Sequence, residues 1–293
     1  MRPAAQSEPA APGLQLRPSR RSVALLDVDP DLGAGMTPER FAMARREIRA
    51  IPLTLRRGEW SPEEAGSLNR SHVGLLVLDG VLAREIVIED TISTELLGPG
   101  DFIRPWFDDE SSLLRQRVRW QVLAEARTAV IAGSLAKAVR RYPELSEALT
   151  DRALARSQRL ATTQAVSHLN SVERRVCALL WHLAERWGRV TGDGIVVPLT
   201  LSHRLLGELV GARRPTVSTA LAALERQGKV RRREDATWLL TGDPPGTPVA
   251  QVRRVVSHRR RLMSRHARPA LSVIDGQSRS EQPAAGSAPF TVR

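Results

Sequence analysis

From Leu135 to Leu169 the chain contains no glycine and a single proline, Pro143, while the stretch from Ala50 to Ala132 is broken repeatedly by Gly, Pro, Asn and Asp. A run of that length without breakers reads as helix, and short apolar segments between turn residues read as strands. Strands first and helices afterwards predict an α+β chain rather than an alternating α/β one. Within the strand-rich part, Val73–Leu78 and Val81–Ile88 flank Asp79-Gly80, and Leu96-Leu97 runs into Gly98-Pro99-Gly100-Asp101. Asp-Gly between two apolar runs predicts a hairpin, because both residues tolerate positive φ. Val118, Trp120, Val122 and Ala124 alternate with other residues, as on a half-buried strand. Together these predict a small barrel or roll.

Beyond Pro143 the apolar residues Leu145, Leu149, Ala153 and Leu160 recur at a step near 3.5, with Arg152, Arg156 and Arg159 beside them. A narrow seam of this kind fits a helix lying on its own roll or one pairing with a second copy, and its narrowness favours dimerisation through those four residues. Asn170 then reads as an N-cap, with Glu173 completing a capping box. Cys177 and His182 fall on the helix that follows and read as packing or solvated residues.

Charge divides the chain in the same way. Arginine and lysine total 44 against 32 acidic residues, a net of +12, and only Lys137 and Lys229 are lysines. Residues 23–170 hold 19 basic and 21 acidic side chains, whereas residues 171–245 hold 12 and 8 and residues 246–293 hold 9 and 2. A near-neutral first part followed by a basic one points to a polyanion as partner of the second. The organisation this predicts is a disordered tail (1–22), a strand-rich roll (23–136), a helix with a dimerisation seam (137–169), a basic domain (170–245) and a basic, partly disordered extension (246–293). No apolar run approaches the roughly 20 residues of a membrane span, and Met1–Arg21 lacks the apolar core of a secretory signal, so a cytoplasmic, nucleoid-associated protein without a membrane partner is expected.

The segment Pro198–Leu240 carries the chemistry. Ile195-Val196-Val197 is a short strand, and Ser202 caps a helix His203–Val210. Gly211 ends that helix in the left-handed conformation, and Pro215 opens a second helix that runs to Gly228. Val217, Leu221 and Leu224 face inward, leaving Arg213, Arg214, Thr216, Ser218 and Thr219 outward. Val230–Arg233 and Thr237–Leu240 then flank a Glu-Asp-Ala turn. Strand, helix, glycine turn, helix and basic hairpin in this order predict a winged helix-turn-helix. Its second helix enters the major groove, while short hydroxyls and wing cations hold phosphate. Residues Arg213, Lys229 and Arg231 are candidates for that phosphate role.

The run Leu206-Gly207-Glu208-Leu209-Val210-Gly211-Ala212-Arg213-Arg214-Pro215-Thr216-Val217-Ser218, with Leu221, Leu224-Glu225 and Gly228, resembles the Crp/Fnr family of transcription factors. Leu75–Gly80 and Leu97–Ile103 look like the turns of that family's cyclic-nucleotide-binding β-roll. The resemblance spans about 48–240. It implies a homodimer on a palindromic operator in double-stranded DNA, contact with RNA polymerase, and an effector of unknown identity. By position, Arg214 sits where the family's guanine-reading arginine sits, and Ser218 and Thr219 join it as base readers. Ser202, His203 and Thr216 align with phosphate contacts. Pro215 replaces an acidic residue of the best-known member, so the half-site differs.

The family's cyclic-nucleotide clamp does not follow here: Ile103 leads into Arg104-Pro105-Trp106, and 113–126 lacks an Arg-Ser or Arg-Thr pair. Cyclic AMP is therefore not expected as cofactor. One cysteine cannot hold an iron–sulfur cluster, and haem through His72 or a metal at Asp108-Asp109-Glu110 is not expected. The basic extension, with seven arginines from Arg253 to Arg268, is expected to add phosphate affinity. No nucleophile elbow, phosphate loop or zinc-ligand spacing suggests an enzyme. The alternative is an architectural DNA binder with a ligand-free roll.

Overall fold

The computed structural model describes residues 22–62, 74–105, 113–131 and 134–246. Residues 1–21 of the tail, His72, Asp108–Glu110 and residues 247–293 of the basic extension lie outside them.

Among the described residues, the first part is a roll of seven strands. Strand β1 (Val23–Ala24) leads through α1 (Leu25–Val28), a 3-10 turn (Pro30–Gly33) and α2 (Pro38–Glu47) to β2 (Arg49–Leu55) and β3 (Gly58–Trp60). Then come β4 (Gly74–Ile88), β5 (Thr91–Leu97), β6 (Phe102–Ile103) and β7 (Arg117–Ile131). The order is β1-β2-β7-β4-β5, all antiparallel, with β3 added to β7 and β6 to β4. Its interior is filled by Leu55, Leu75, Leu82, Leu97 and an edge-to-face pair, Trp60 and Trp120, whose ring centroids are 5.8 Å apart.

Asp79-Gly80 does not turn the chain. Strand β4 runs straight through it, and the register against β7 shifts from Val77 to Leu82, a β-bulge. Gly80 has φ +86°, and a Cβ there would sit 2.3 Å from the Glu125 carbonyl oxygen. The bulge and the tight hairpin both demand positive φ, so the dipeptide signals either one. What decides is β7, long enough to pair with the apolar runs on both sides. The reversal falls at Glu89-Asp90, with Glu89 at φ +54°.

Helices follow. Short α3 (Ser134–Arg141) stops at Tyr142, and Pro143 restarts the chain as the 25-residue α4 (Pro143–Ser167). The expected seam does not stay on one free face. Leu145 is 1% exposed and packs with Leu25, Leu32 and Tyr142 of its own chain, with Leu149 beside it. Ala153 and Leu160 are exposed, as is Leu154. A straight helix drifts about 20° per heptad against a 3.5 step, so a seam read at that step crosses from the roll side to the open side. The arginines between them face the roll: Arg152 pairs with Asp29, Arg156 with Glu95 and Arg159 with Asp101, at 2.5–2.9 Å.

The last part comprises α5 (Val172–Trp187), β8 (Arg189–Thr191), β9 (Gly194–Val197), α6 (His203–Val210), α7 (Arg214–Arg226), β10 (Val230–Arg232) and β11 (Trp238–Leu240). Ser171, not Asn170, caps α5, its hydroxyl accepting from the Arg174 amide at 3.2 Å. Asn170 instead accepts from the Arg174 side chain. The small sheet has the order β10-β11-β9-β8, so the wing hairpin is paired to the strand that precedes the two helices. The core of this part continues into the roll, where Val81, Ala83 and Leu96 join the cluster of α5 and α6.

Candidate nucleic-acid interface

The α6–α7 turn is set by three local choices. Ser202 caps α6 by accepting from the Leu205 amide at 3.1 Å. Gly211 closes it at φ +64°, the left-handed residue that lets the Ala212 amide bond back to Gly207. Pro215 lies in the first turn of α7, where a missing N–H is harmless. Gly207 permits the tight crossing: a Cβ there would lie 2.4 Å from the Ala212 carbonyl oxygen.

Helix α7 buries Val217, Ala220, Leu221 and Leu224 against α5 and α6. Its opposite face is open. Arg213, Arg214, Thr216 and Thr219 are all exposed, with the Thr219 hydroxyl bonded back to the Pro215 carbonyl. Two guanidinium groups and two short hydroxyls within the first two turns can reach base edges and phosphates together.

Ser218 faces elsewhere. It is half-buried, donates to the Arg214 carbonyl at 3.1 Å and lies 2.8 Å from His203 Nδ1. These two side chains join α6 to α7 at the mouth of a cleft of about 250 Å³ between α7 and the wing, also lined by Glu225, Arg232 and Trp238. Burial, followed by the charges of Arg232 and Arg214, holds the His203 pKa below its usual value and so disfavours the imidazolium in the free protein.

Arg232 is the wing cation that sequence reading passed over. Its guanidinium stacks 5.5 Å from the Trp238 ring centroid and it lines the cleft, whereas Arg231 leaves the strand on the other side. Two adjacent arginines in a strand cannot both face α7, and their order alone does not say which does. Lys229 and Arg231 are exposed. Cys177 is buried, and burial raises its thiol pKa, which suits packing. His182 is paired with Glu185 at 3.2 Å. Among the described residues no group of three metal-ligating side chains occurs, and no helix is long and apolar enough to cross a membrane.

Residues 174–242 match the family model of the Crp-like helix-turn-helix domain. No curated protein matches the chain. Solved structures of similar fold include a CooA variant from Carboxydothermus hydrogenoformans, at 17% identity over 83% of this chain and 98% of that one, with TM-score 0.54. FixK2 from Bradyrhizobium japonicum is similar at 18% identity over 71% and 96%, TM-score 0.51. A cyclic nucleotide-binding domain containing protein from Listeria monocytogenes EGD-e is similar at 14% identity over 72% and 96%, TM-score 0.54. At these identities the likeness is one of fold: roll, long helix and winged helix-turn-helix.

Proposed function

We propose that this chain, which carries a Crp-like helix-turn-helix domain, is a sequence-specific transcription regulator that binds a palindromic operator as a dimer. The observation that carries the reading is the open face of α7, where Arg213, Arg214, Thr216 and Thr219 stand clear of the chain's own core. Arg214 reads guanine through its two-pronged guanidinium, Thr219 contacts the neighbouring base, and Arg213, Thr216 and the wing cations hold the backbone. Dimerisation uses the open side of α4, around Leu154 and Ala161, since Leu145 and Leu149 are spent on the roll and Leu160 lines a crevice with Leu96 and Leu179. The two-fold axis of such a dimer would place the two α7 helices on successive major-groove faces.

The roll supports regulation without a cyclic nucleotide. The three arginines that α4 turns toward it are each paired with a carboxylate of the chain, and the Trp60–Trp120 pair fills its interior. A cytoplasmic location and contact with RNA polymerase follow from the same reading.

Selection of duplexes from a random pool, followed by footprinting, tests it. One protected palindrome is the expected result. Uniform protection along any duplex would instead establish an architectural DNA binder.

A further inference from the structure

The geometry points to Asp101 as the positioning residue that fixes the DNA-reading helices to the roll. Asp101 closes the turn between β5 and β6, is 2% exposed, and accepts from the Gly98 amide at 2.9 Å. Its two carboxylate oxygens also meet two guanidinium groups from different helices: Arg159 of α4 hydrogen-bonds one at 2.5 Å, and Arg186, in the last turn of α5, forms an ion pair with the other at 2.8 Å without hydrogen-bond alignment. Arg186 donates in addition to the Pro99 carbonyl at 2.8 Å and stacks on Trp187 at 4.7 Å. Trp187 lies so close to Gly98 that a Cβ there would be 3.0 Å from its ring. Roll, long helix and DNA-binding part therefore converge on one buried carboxylate.

A second tie lies nearby. Thr94 of β5 donates to Glu208 of α6 at 3.2 Å, and Glu208 also accepts from Arg204 at 2.9 Å. With both ties made, the face of α7 carrying Arg214 and Thr219 remains open, so docking on the roll does not cover it. The function of the joint follows from geometry. A palindrome is read by two α7 helices at fixed separation, each located relative to α4 through α5 and α6, the apolar cluster they share with the roll, and this polar contact. A stiff joint spares the ordering cost of aligning them on a specific duplex, but contributes nothing to a random duplex, where each half binds by charge alone. A buried carboxylate between two guanidinium groups is stiff because undocking exposes three charges to rearrangement at once.

The inference rests on the reading of the chain as a dimeric operator binder, and the test separates the two. Full-length chain in a Cys177→Ala background is spin-labelled at Glu59→Cys and Asp193→Cys, on exposed positions of the roll and the DNA-binding part, and the distance distribution is measured without DNA. Binding is measured in parallel to the duplex recovered by selection and to a random duplex at low salt. Asp101→Asn should broaden the distribution and weaken the selected duplex at least tenfold, leaving the random duplex within twofold. Arg186→Lys, which keeps the charge, should retain most of both properties, and Arg186→Gln should behave as Asp101→Asn. If Asp101→Asn fails to fold, Arg186→Gln decides. An unchanged narrow distribution, or equal losses on both duplexes, overturns the assignment. Should the unaltered chain select no duplex, the operator-binding reading falls, while the distance measurement still decides the joint.

Discussion

His203 Nδ1 and Ser218 Oγ lie 2.8 Å apart, a contact that joins the first turn of α6 to the second turn of α7 beside Arg214 and Arg232. Those two cations and partial burial disfavour the imidazolium in the free protein, with Glu225 the acidic group on the same cleft. Phosphates arriving at this mouth would reverse the balance and favour proton uptake. Affinity for DNA should therefore rise as pH falls from above 7 toward 6, and His203→Gln should flatten the dependence in fluorescence-anisotropy titrations across that range. The effect on folding has the opposite sign. The folded pKa lies below the unfolded one, so the unfolded chain binds more protons as pH drops through about 6.5, and this residue's contribution to stability declines there. Urea midpoints that do not fall on acidification relative to His203→Gln would contradict this.

Arg214→Ala should remove discrimination at one base pair, about 1–3 kcal/mol, while binding to random duplex persists. Lys229→Ala should weaken all duplexes alike and lower the slope of log affinity against log salt by about 1. Competition gel shifts at several salt concentrations distinguish a base reader from a phosphate contact, and an unaltered preference in Arg214→Ala would discard the base-reading role.

Gly207→Ala should cost about 1–3 kcal/mol in thermal or urea unfolding, because its Cβ would press on the Ala212 carbonyl and that backbone cannot yield without opening the turn. A neutral result would mean the α6–α7 crossing is looser than its distances.

Two leucines on α4 should answer differently. Leu145→Ala leaves a cavity in the cluster with Leu25, Leu32 and Tyr142 and should lower stability by about 2–5 kcal/mol. Leu154→Asp, at a position 58% exposed, should leave the folded monomer intact and shift sedimentation from dimer to monomer. A dimer that survives Leu154→Asp would place the interface elsewhere.

The winged part was legible because its signals are local: Ser202, Gly211 and Pro215 each act within one turn, and each holds the predicted place. Errors arose where one local signal serves two geometries. Asp79-Gly80 supplies positive φ for a hairpin or a bulge, and the choice belongs to β7, some forty residues on. Asn170 and Ser171 are both good caps, separated only by which hydroxyl or amide reaches the third amide of the helix. The expected seam on α4 is divided: Leu145 and Leu149 pack on the chain's own core, while Ala153 and Leu160 are exposed. Spacing alone puts Ser218 on the outward face, yet it is turned to His203. Asp101 read as a turn residue, which it is. Nothing in its neighbourhood announces Arg186, 85 positions further along the chain.

Leu96 of the roll, Leu179 and Leu183 of α5 and Leu209 of α6 share one apolar cluster. Two lobes that look separable on a map of the sequence should thus melt as one thermodynamic body. A truncated fragment starting near Ser171 would present Leu179, Leu183 and Leu209 to water, so it should self-associate or lose cooperativity rather than serve as a minimal DNA binder.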